Sequence, residues 1–290
     1  MGLSLPAYLM QLILRRPYGV HSPFLYDLAE KCLYADFDDP VFEKLEQIRM
    51  KLKRSKELIR VTDYGAGSRS ARTVASRTNF SLTEPVARSR PAASPMPFAT
   101  ATPSMHMRRV GRMARKVLQK PRYCRLLYRL SAYLNPDRIL EFGTSFGIAA
   151  SYLASGSPSA RMVTMEGCPE TSRVARDVFV QAGTDHIELL NGPFRDVLPG
   201  LVKEGFTPDV VYIDGNHTYG GLWENYSAIR EHIPPDGVLI MDDIRWSAGM
   251  WKAWKEIIHG DDVRLSVDLG KLGLLFFRPA LSKENVILGF

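Results

Sequence analysis

The stretch RILEFGTSFGIAASYLA, Arg138–Ala154, decides the fold. Arg138–Phe142 reads as a buried strand, Gly143 and Gly147 as a turn, and the residues from about Phe146 onward as a helix. Glycine lets the backbone turn sharply and approach a ligand closely, and a helix N-terminus presents free N–H groups. A dinucleotide turn would read GxGxxG, with a pyrophosphate on the helix N-terminus. Here the spacing is ExGxxxG. It lacks the middle glycine that admits a pyrophosphate and adds a carboxylate, Glu141, suited to a cationic amino-acid end.

Downstream, short apolar runs alternate with helix-length segments, the pattern of βαβ units and a mostly parallel sheet in an α/β protein. The expected strands are Arg138–Phe142, Arg161–Met165, His186–Leu190, Val210–Ile213 and Val238–Met241, each followed within a residue or two by Gly, Asp or Glu. Open α/β sheets bind ligands outside the carboxyl ends of their strands, so those residues are candidates for a site. Ala248–His259 reads as a helix carrying Trp251 and Trp254. Arg264–Leu269 and Gly273–Arg278 then flank Gly270-Lys271-Leu272, a connection short enough for an antiparallel hairpin at the sheet edge.

The second strand ends in Thr164-Met165-Glu166-Gly167, with Glu166 19 residues beyond Gly147. Adjacent strand ends lie side by side, so an acid there is placed to accept two ribose hydroxyls. The pair of motifs resembles the class I S-adenosylmethionine-dependent methyltransferases, whose first motif is an acidic residue followed by GxxxG. The resemblance implies a Rossmann-like class I methyltransferase fold with an antiparallel C-terminal hairpin. It also implies S-adenosyl-L-methionine as cofactor, held by Glu141, Gly143, Thr144, Ser145, Gly147, Glu166, Gly167, Gly192, Phe194 and Asp214. In that family Leu190–Phe194 would border the adenine; core packing is an equal reading for Phe194. A helix cap or a surface ion pair is the competing reading for Glu141 and Glu166.

The next two strands end in Tyr212-Ile213-Asp214-Gly215-Asn216-His217 and Met241-Asp242-Asp243-Ile244. Three carboxylates on neighbouring strand ends repel one another unless they are paired, protonated or bridged by a cation, and a divalent ion such as Mg2+ satisfies hard oxygen ligands. The pattern resembles the metal-dependent O-methyltransferases of the catechol and caffeoyl-coenzyme A type, and the cephalosporin-hydroxylase-like branch with its IDGxH segment. That resemblance puts Asp214, Asp242 and Asp243 on the metal positions, with Asp243 where the family has asparagine. It implies O-methylation of a small hydroxylated molecule, with Asp214 at a catalytic position; His217, three residues on, is read from its own chemistry as the other catalytic residue, against a hydrogen-bonded loop histidine. Histidine titrates near neutral pH, which suits His217 to take the hydroxyl proton; the family uses a lysine nearby, and none matches in sequence. Helix capping by Asp214 or by Asp242-Asp243 is the structural alternative. Arg245 is read as neutralising an acidic substrate or pairing with Asp243, and Trp246 as a pocket wall or a packed ring.

Residues 1–125 hold 23 Lys and Arg against 10 Asp and Glu, whereas residues 126–290 are net acidic. Such a basic region motivates the alternative function, binding or modifying nucleic acid, although no base-stacking platform or NPPY-type motif accompanies it. The chain divides into a helical N-terminal cap region (1–77), a Ser/Thr/Ala/Pro-rich flexible loop (78–104) and a methyltransferase domain with leading helices (105–290). Within it, helices are expected at Ser22–Tyr34, Val41–Ile59 and across Arg108–Leu134 with a break at Pro121. Val61–Ser68, a strand entering a glycine turn, imitates the first motif, but no acid-ended strand follows it. The segments YGVHSPF at Tyr18, GAGS at Gly65, EGCP at Glu166 and IDGNH with DDIRWS are together similar to a poorly characterised group of bacterial methyltransferases. Three scattered cysteines without a CxxC pair suit a cytoplasmic location. The apolar start, LSLPAYLMQLILRR, is too short to span a bilayer, so it reads as a packed helix or a peripheral membrane contact. The expected partner is a small-molecule substrate, with a homo-oligomer left open.

Overall fold

The computed structural model describes residues 22–63 and 104–290. The apolar start, the Tyr18–His21 turn, the Gly65–Ser68 segment and the Ser/Thr/Ala/Pro-rich stretch lie outside the described residues. Eight strands form one sheet in the order β10-β8-β9-β7-β6-β3-β4-β5. They are β3 (Arg138–Phe142), β4 (Arg161–Glu166), β5 (Glu188–Asn191), β6 (Val210–Ile213), β7 (Val238–Met241), β8 (Leu265–Asp268), β9 (Gly273–Phe276) and β10 (Glu284–Ile287). β3 to β7 run parallel to one another, whereas β9 inserts antiparallel between β7 and β8.

The central strands are apolar runs because both faces are covered, as parallel sheets require. Alternation divides their side chains. Ile139, Val210, Tyr212, Val238 and Ile240 join one core, and Leu140, Phe142, Val211, Ile213, Leu239 and Met241 join the other. The helices α4 (Pro121–Leu134), α5 (Ile148–Gly156), α6 (Pro169–Ala182), α7 (Phe194–Lys203), α8 (Tyr219–Arg230) and α9 (Ala248–Ile257) cover these faces. Prolines at the first helical positions of α4 and α6 start them where an N–H would be unsatisfied in any case. Pro121 therefore begins a helix, where the sequence reading expected it to break one.

The preceding region departs further from expectation. Ser22 caps α1 (Pro23–Leu28), and the chain continues through a π-helical turn, Ala29–Leu33. Helix α2 spans Pro40–Arg54 and is capped by Asp39, whose Oδ1 accepts the Val41 N–H at 2.8 Å. The expected continuation to Ile59 fails because Leu58–Asp63 is strand β1, paired antiparallel with β2 (Ser104–Arg109) in a two-stranded ribbon. The charged run Lys51–Lys56 conceals the change, while Ile59, Val61 and Thr62 are β-branched and suit the ribbon. Only after β2 does the basic helix α3 (Val110–Val117) begin. At the far end, β8 and β9 pair antiparallel as expected, but β10 pairs with β8 and takes the edge. It escapes sequence reading because it is four residues long and largely exposed. Among the described residues, no helix is long and apolar enough to cross a membrane.

Helix α2 is built into the fold through a third core, where Phe42, Leu45 and Ile48 meet Tyr128 of α4, Tyr152 of α5 and Val178 of α6. The Phe42 ring stands edge-on to Tyr128 at 5.0 Å and lies 5.7 Å from Tyr152. Phe42→Ala is expected to cost about 3–5 kcal/mol, as other buried Phe truncations do. In urea unfolding the whole protein should shift to a lower midpoint with unchanged slope. A separate early transition, with the main midpoint unmoved, would show that α2 is an independent appendage.

Candidate active site

Backbone hydrogen bonds continue past the strands and lock their carboxyl ends together. Gly143 and Thr144 donate to the Met165 carbonyl, Gly192 to Glu166, Asp214 to Phe142 and Asp242 to Ile213, all at 2.9–3.1 Å. Gly143 has φ +101°, and a Cβ there would lie 2.2 Å from the Asp214 carbonyl, so the two strand ends touch only because this residue is glycine. Gly147, at φ +78°, is the N-cap of α5 and starts it two residues later than the sequence suggested.

Glu141 is fully buried at the end of β3. Its Oε2 accepts from Thr164 Oγ1 at 2.5 Å, and Thr164 is in turn 2.6 Å from Thr144 Oγ1. Its Oε1 has no hydrogen-bond partner among the described residues. Burial pushes the carboxyl up to about 8, with Thr164 opposing and the nearby Glu166 adding to the rise. Among the described residues Glu141 caps no helix. Glu166 is tied to the turn: Oε2 accepts the Ser145 N–H and Oε1 the Cys168 N–H, both at 2.9 Å. Its pKa is also raised by burial, against the N–H donors of Cys168, Ser145 and Gly167. Phe194 is half-buried, edge-on to Phe142 at 5.4 Å, and a Cβ on Gly215 would strike its ring. The structure thus brings Glu141, Gly143, Thr144, Ser145, Gly147, Glu166, Gly192, Phe194 and Asp214 to one edge of the sheet.

The reaction side is more crowded than the sequence implied. Asp242 is 2% exposed. Its Oδ2 accepts from Gln119 Nε2 at 2.7 Å and lies 3.2 Å from the Tyr212 hydroxyl; its Oδ1 receives Lys271 Nζ at 2.6 Å and the Asp243 N–H at 2.7 Å. Lys271 also reaches Asp243 Oδ1 at 2.8 Å. His217 stands between two acids, with Nε2 3.5 Å from Asp214 Oδ1 and Nδ1 3.9 Å from Asp243 Oδ2. Burial, and the neighbouring Asp242 after it, raise the Asp214 carboxyl well above the ordinary range, with Lys271 opposing. Burial also keeps the Tyr212 hydroxyl protonated. Desolvation works against the Lys271 charge, but Asp242 and Asp243 outweigh it and hold the ammonium charged.

These contacts test the expected metal. A carboxylate offers about four acceptor positions, and Asp242 has a donor facing each of them. Among the described residues no group of three or more His, Cys, Asp and Glu is arranged to hold a metal ion. The donor set therefore does not fit Mg2+ while Lys271 is in place. Of the three resolutions open to clustered carboxylates, the structure uses pairing for Asp242 and Asp243, while burial pushes Asp214 toward its protonated form. Arg245, expected near Asp243 or a substrate, instead pairs with Asp268 and stacks over Trp251 at 4.1 Å. Trp246 is 63% exposed, its ring centroid 6.3 Å from that of His217, which suits a wall more than a packed ring.

Lys271, Gln119 and Tyr212 are the residues the sequence reading missed. Lys271 was legible in principle. In the antiparallel insertion, Gly273 pairs with Met241, so the turn just before Gly273 must overhang Asp242-Asp243. Gln119, from the α3–α4 connection, had no local signal.

The sheet order and this row of strand-end residues define a class I methyltransferase fold. Residues 140–244 match the Methyltransferase domain family. Among curated relatives, the chain is 27% identical over 144 residues to an O-methyltransferase, hkm8, of Aspergillus hancockii, covering 48% of this chain and 56% of that one. It is 37% identical over 94 residues to a catechol O-methyltransferase of Mycobacterium tuberculosis, covering 32% and 42%. The matches thus span about half the length of those relatives. An O-methyltransferase from Bacillus cereus, solved in complex with SAH, superposes with a TM-score of 0.51 at 16% identity, covering 86% of this chain and 94% of that one, which supports the fold.

The buried acid makes a pH prediction. The folded protein keeps the Glu141 proton up to about 8, while the unfolded chain releases it near its ordinary value of 4.5. The folded form therefore binds the extra proton between those values, and stability falls as pH rises through that window. Urea unfolding without ligand should show a fall on the order of a few kcal/mol between its ends. The fall should be distinctly shallower in Glu141→Gln, and parallel profiles for the two proteins would refute the assignment.

Proposed function

We propose that this chain is an S-adenosylmethionine-dependent O-methyltransferase acting on a small hydroxylated molecule. The observation that carries the reading is the single row of strand ends. It places an unpartnered buried carboxylate oxygen, a glycine turn and a second acid beside a histidine flanked by carboxylates. Glu141 Oε1 is an acceptor in want of a donor, which the ammonium group of the cofactor would supply. Glu166, steadied by two backbone N–H groups, keeps lone pairs for ribose hydroxyls. Gly143, Thr144, Ser145 and Gly147 form the turn, Gly167 follows Glu166 at the end of β4, and Gly192 and Phe194 flank the base position. When bound, the cofactor supplies a methyl group on a cationic sulfur, and transfer forms an oxygen–carbon bond as the sulfur–carbon bond breaks. Asp214 orients His217, and His217 takes the acceptor's hydroxyl proton. Trp246 walls the acceptor side. No step is assigned to a divalent ion, because Lys271 fills its place among the aspartates. Neither the family description nor the relatives named above concern nucleic acid.

Calorimetric titration should show binding of S-adenosylmethionine and not of NAD; the reverse preference would overturn the cofactor. With a panel of catechol-like and other hydroxylated acceptors, His217→Ala should lower kcat by roughly a hundred- to ten-thousand-fold, the ordinary worth of a general base. Cofactor affinity should stay within about twofold. Retained kcat in that variant would remove His217 from the chemistry.

A further inference from the structure

We propose that the Lys271 ammonium is the resident cation of this site, standing in for a divalent ion and binding the acceptor oxygen as its proton leaves. The first half rests on the carboxylate cluster alone, and the second rests on the methyl-transfer reading.

Lys271 is not a surface lysine that happens to swing inward. Its turn is fixed at both ends: the Gly270 N–H donates to Asp268 Oδ1 at 2.7 Å, the Leu269 N–H to the Leu272 carbonyl at 2.9 Å, and the Ile244 N–H to the Lys271 carbonyl at 3.1 Å. The last of these ties the turn to the segment that carries Asp242 and Asp243. The ammonium then joins the two neighbouring acids, at 2.6 and 2.8 Å. A magnesium ion needs oxygen ligands at about 2.1 Å in octahedral array and would have to share Asp242 Oδ1 with a positive charge already hydrogen-bonded to it. Ion and ammonium compete for one position. Asp243 makes the ammonium's case stronger, since an asparagine there would offer Lys271 only a neutral oxygen.

The same geometry couples cation and base. Asp243 holds Lys271 on Oδ1 and has His217 3.9 Å from Oδ2, so the two groups sit at opposite oxygens of one carboxylate. An acceptor hydroxyl entering beside Asp243 meets both. Its O–H proton passes to His217, and the oxygen, carrying the electron pair, rests against the ammonium until that pair forms the bond to the methyl carbon while the carbon–sulfur bond breaks and its pair stays on the sulfur. Lysine has three N–H donors, of which the aspartates engage two, and its side chain is 27% exposed. One donor is thus left for the acceptor.

The test is a titration of the full chain with Mn2+ alone, by calorimetry and thermal shift, using wild type, Asp242→Asn, Lys271→Ala, Lys271→Arg and Lys271→Ala with Asp242→Asn. The wild type and Lys271→Arg should take up no stoichiometric Mn2+. Lys271→Ala should acquire one equivalent, and the double variant should lose it. One equivalent bound by the wild type and lost in Asp242→Asn would overturn the proposal whether or not the lysine variants fold. So would a folded Lys271→Ala that binds none. For the acceptor half, wild-type turnover should survive EDTA. Lys271→Met should lose roughly a hundredfold in kcat with little change in cofactor affinity, as removal of one donor to a developing oxyanion does, and Lys271→Arg should recover part of it. Full kcat in Lys271→Met would end that half. Cofactor titration of the same samples separates the outcomes, because loss of S-adenosylmethionine binding would defeat the functional reading while the Mn2+ result still decides the cation.

Discussion

The carboxylate of Asp242 is the constraint around which the rest of this structure is arranged. A buried charge costs several kcal/mol unless it is paired and hydrogen-bonded, and removing one partner leaves the other exposed to the full penalty. Asp242 meets that requirement with groups from separate parts of the chain: Gln119 from the α3–α4 connection, Tyr212 from β6, Lys271 from the β8–β9 turn, and the backbone of Asp243. The connection is held in turn from further away. Buried Arg49 of α2 donates to the Gln119 carbonyl, pairs with Glu46 and reaches Cys124 Sγ at 3.0 Å. The amino-terminal helix and the C-terminal hairpin are therefore joined through one strand-end acid.

This arrangement explains why the hairpin must enter the sheet antiparallel. Were β9 parallel to β7, its leading turn would lie at the opposite edge of the sheet, a strand's length from Asp242. Inserted antiparallel, Gly273 faces Met241 and the preceding turn lies over the aspartates. Trp254 of α9 presses on the same point, since a Cβ at Gly273 would come within 2.5 Å of its ring. Glycine at that position lets helix, turn and strand end meet closely enough for a lysine side chain to reach two carboxylates.

What could be read from the chain follows from where each signal resides. The central strands were legible because a strand buried on both faces must be an apolar run, and Gly143, Glu141 and Glu166 because each sits at a fixed offset from such a run. Gln119 and Lys271 were not, since their roles come from contacts 123 and 29 residues distant in sequence. The divalent ion was a reasonable inference from three clustered acids, and the lysine that answers the same electrostatic demand was hidden in a turn read only for its length. β1 was read only from Val61, and its first residues were taken for helix for a related reason: the charged run after Arg54 continues the helical pattern, and only pairing with β2, far along the chain, ends it.

The row of strand ends divides into two electrostatic halves that suit different arrivals. At β3 and β4 the acids, Glu141 buried and Glu166 partly so, have no basic partner among the described residues, Glu141 Oε1 has no donor there, and desolvation raises both carboxyls. That half is incomplete by itself and gains most from a ligand that brings positive charge, which drives Glu141 to ionise as it binds. At β6 and β7, Asp242 and Asp243 are already answered by Lys271, with Tyr212 and Gln119 also on Asp242, and Asp214 is held toward its neutral form. A second cation arriving there would meet repulsion, whereas a neutral hydroxyl meets a base and an ammonium. On the proposed reading, a cationic cofactor and a neutral acceptor are thus directed to adjacent places by the pairing state of the carboxylates. The sheet supplies the adjacency, and Lys271 supplies the difference.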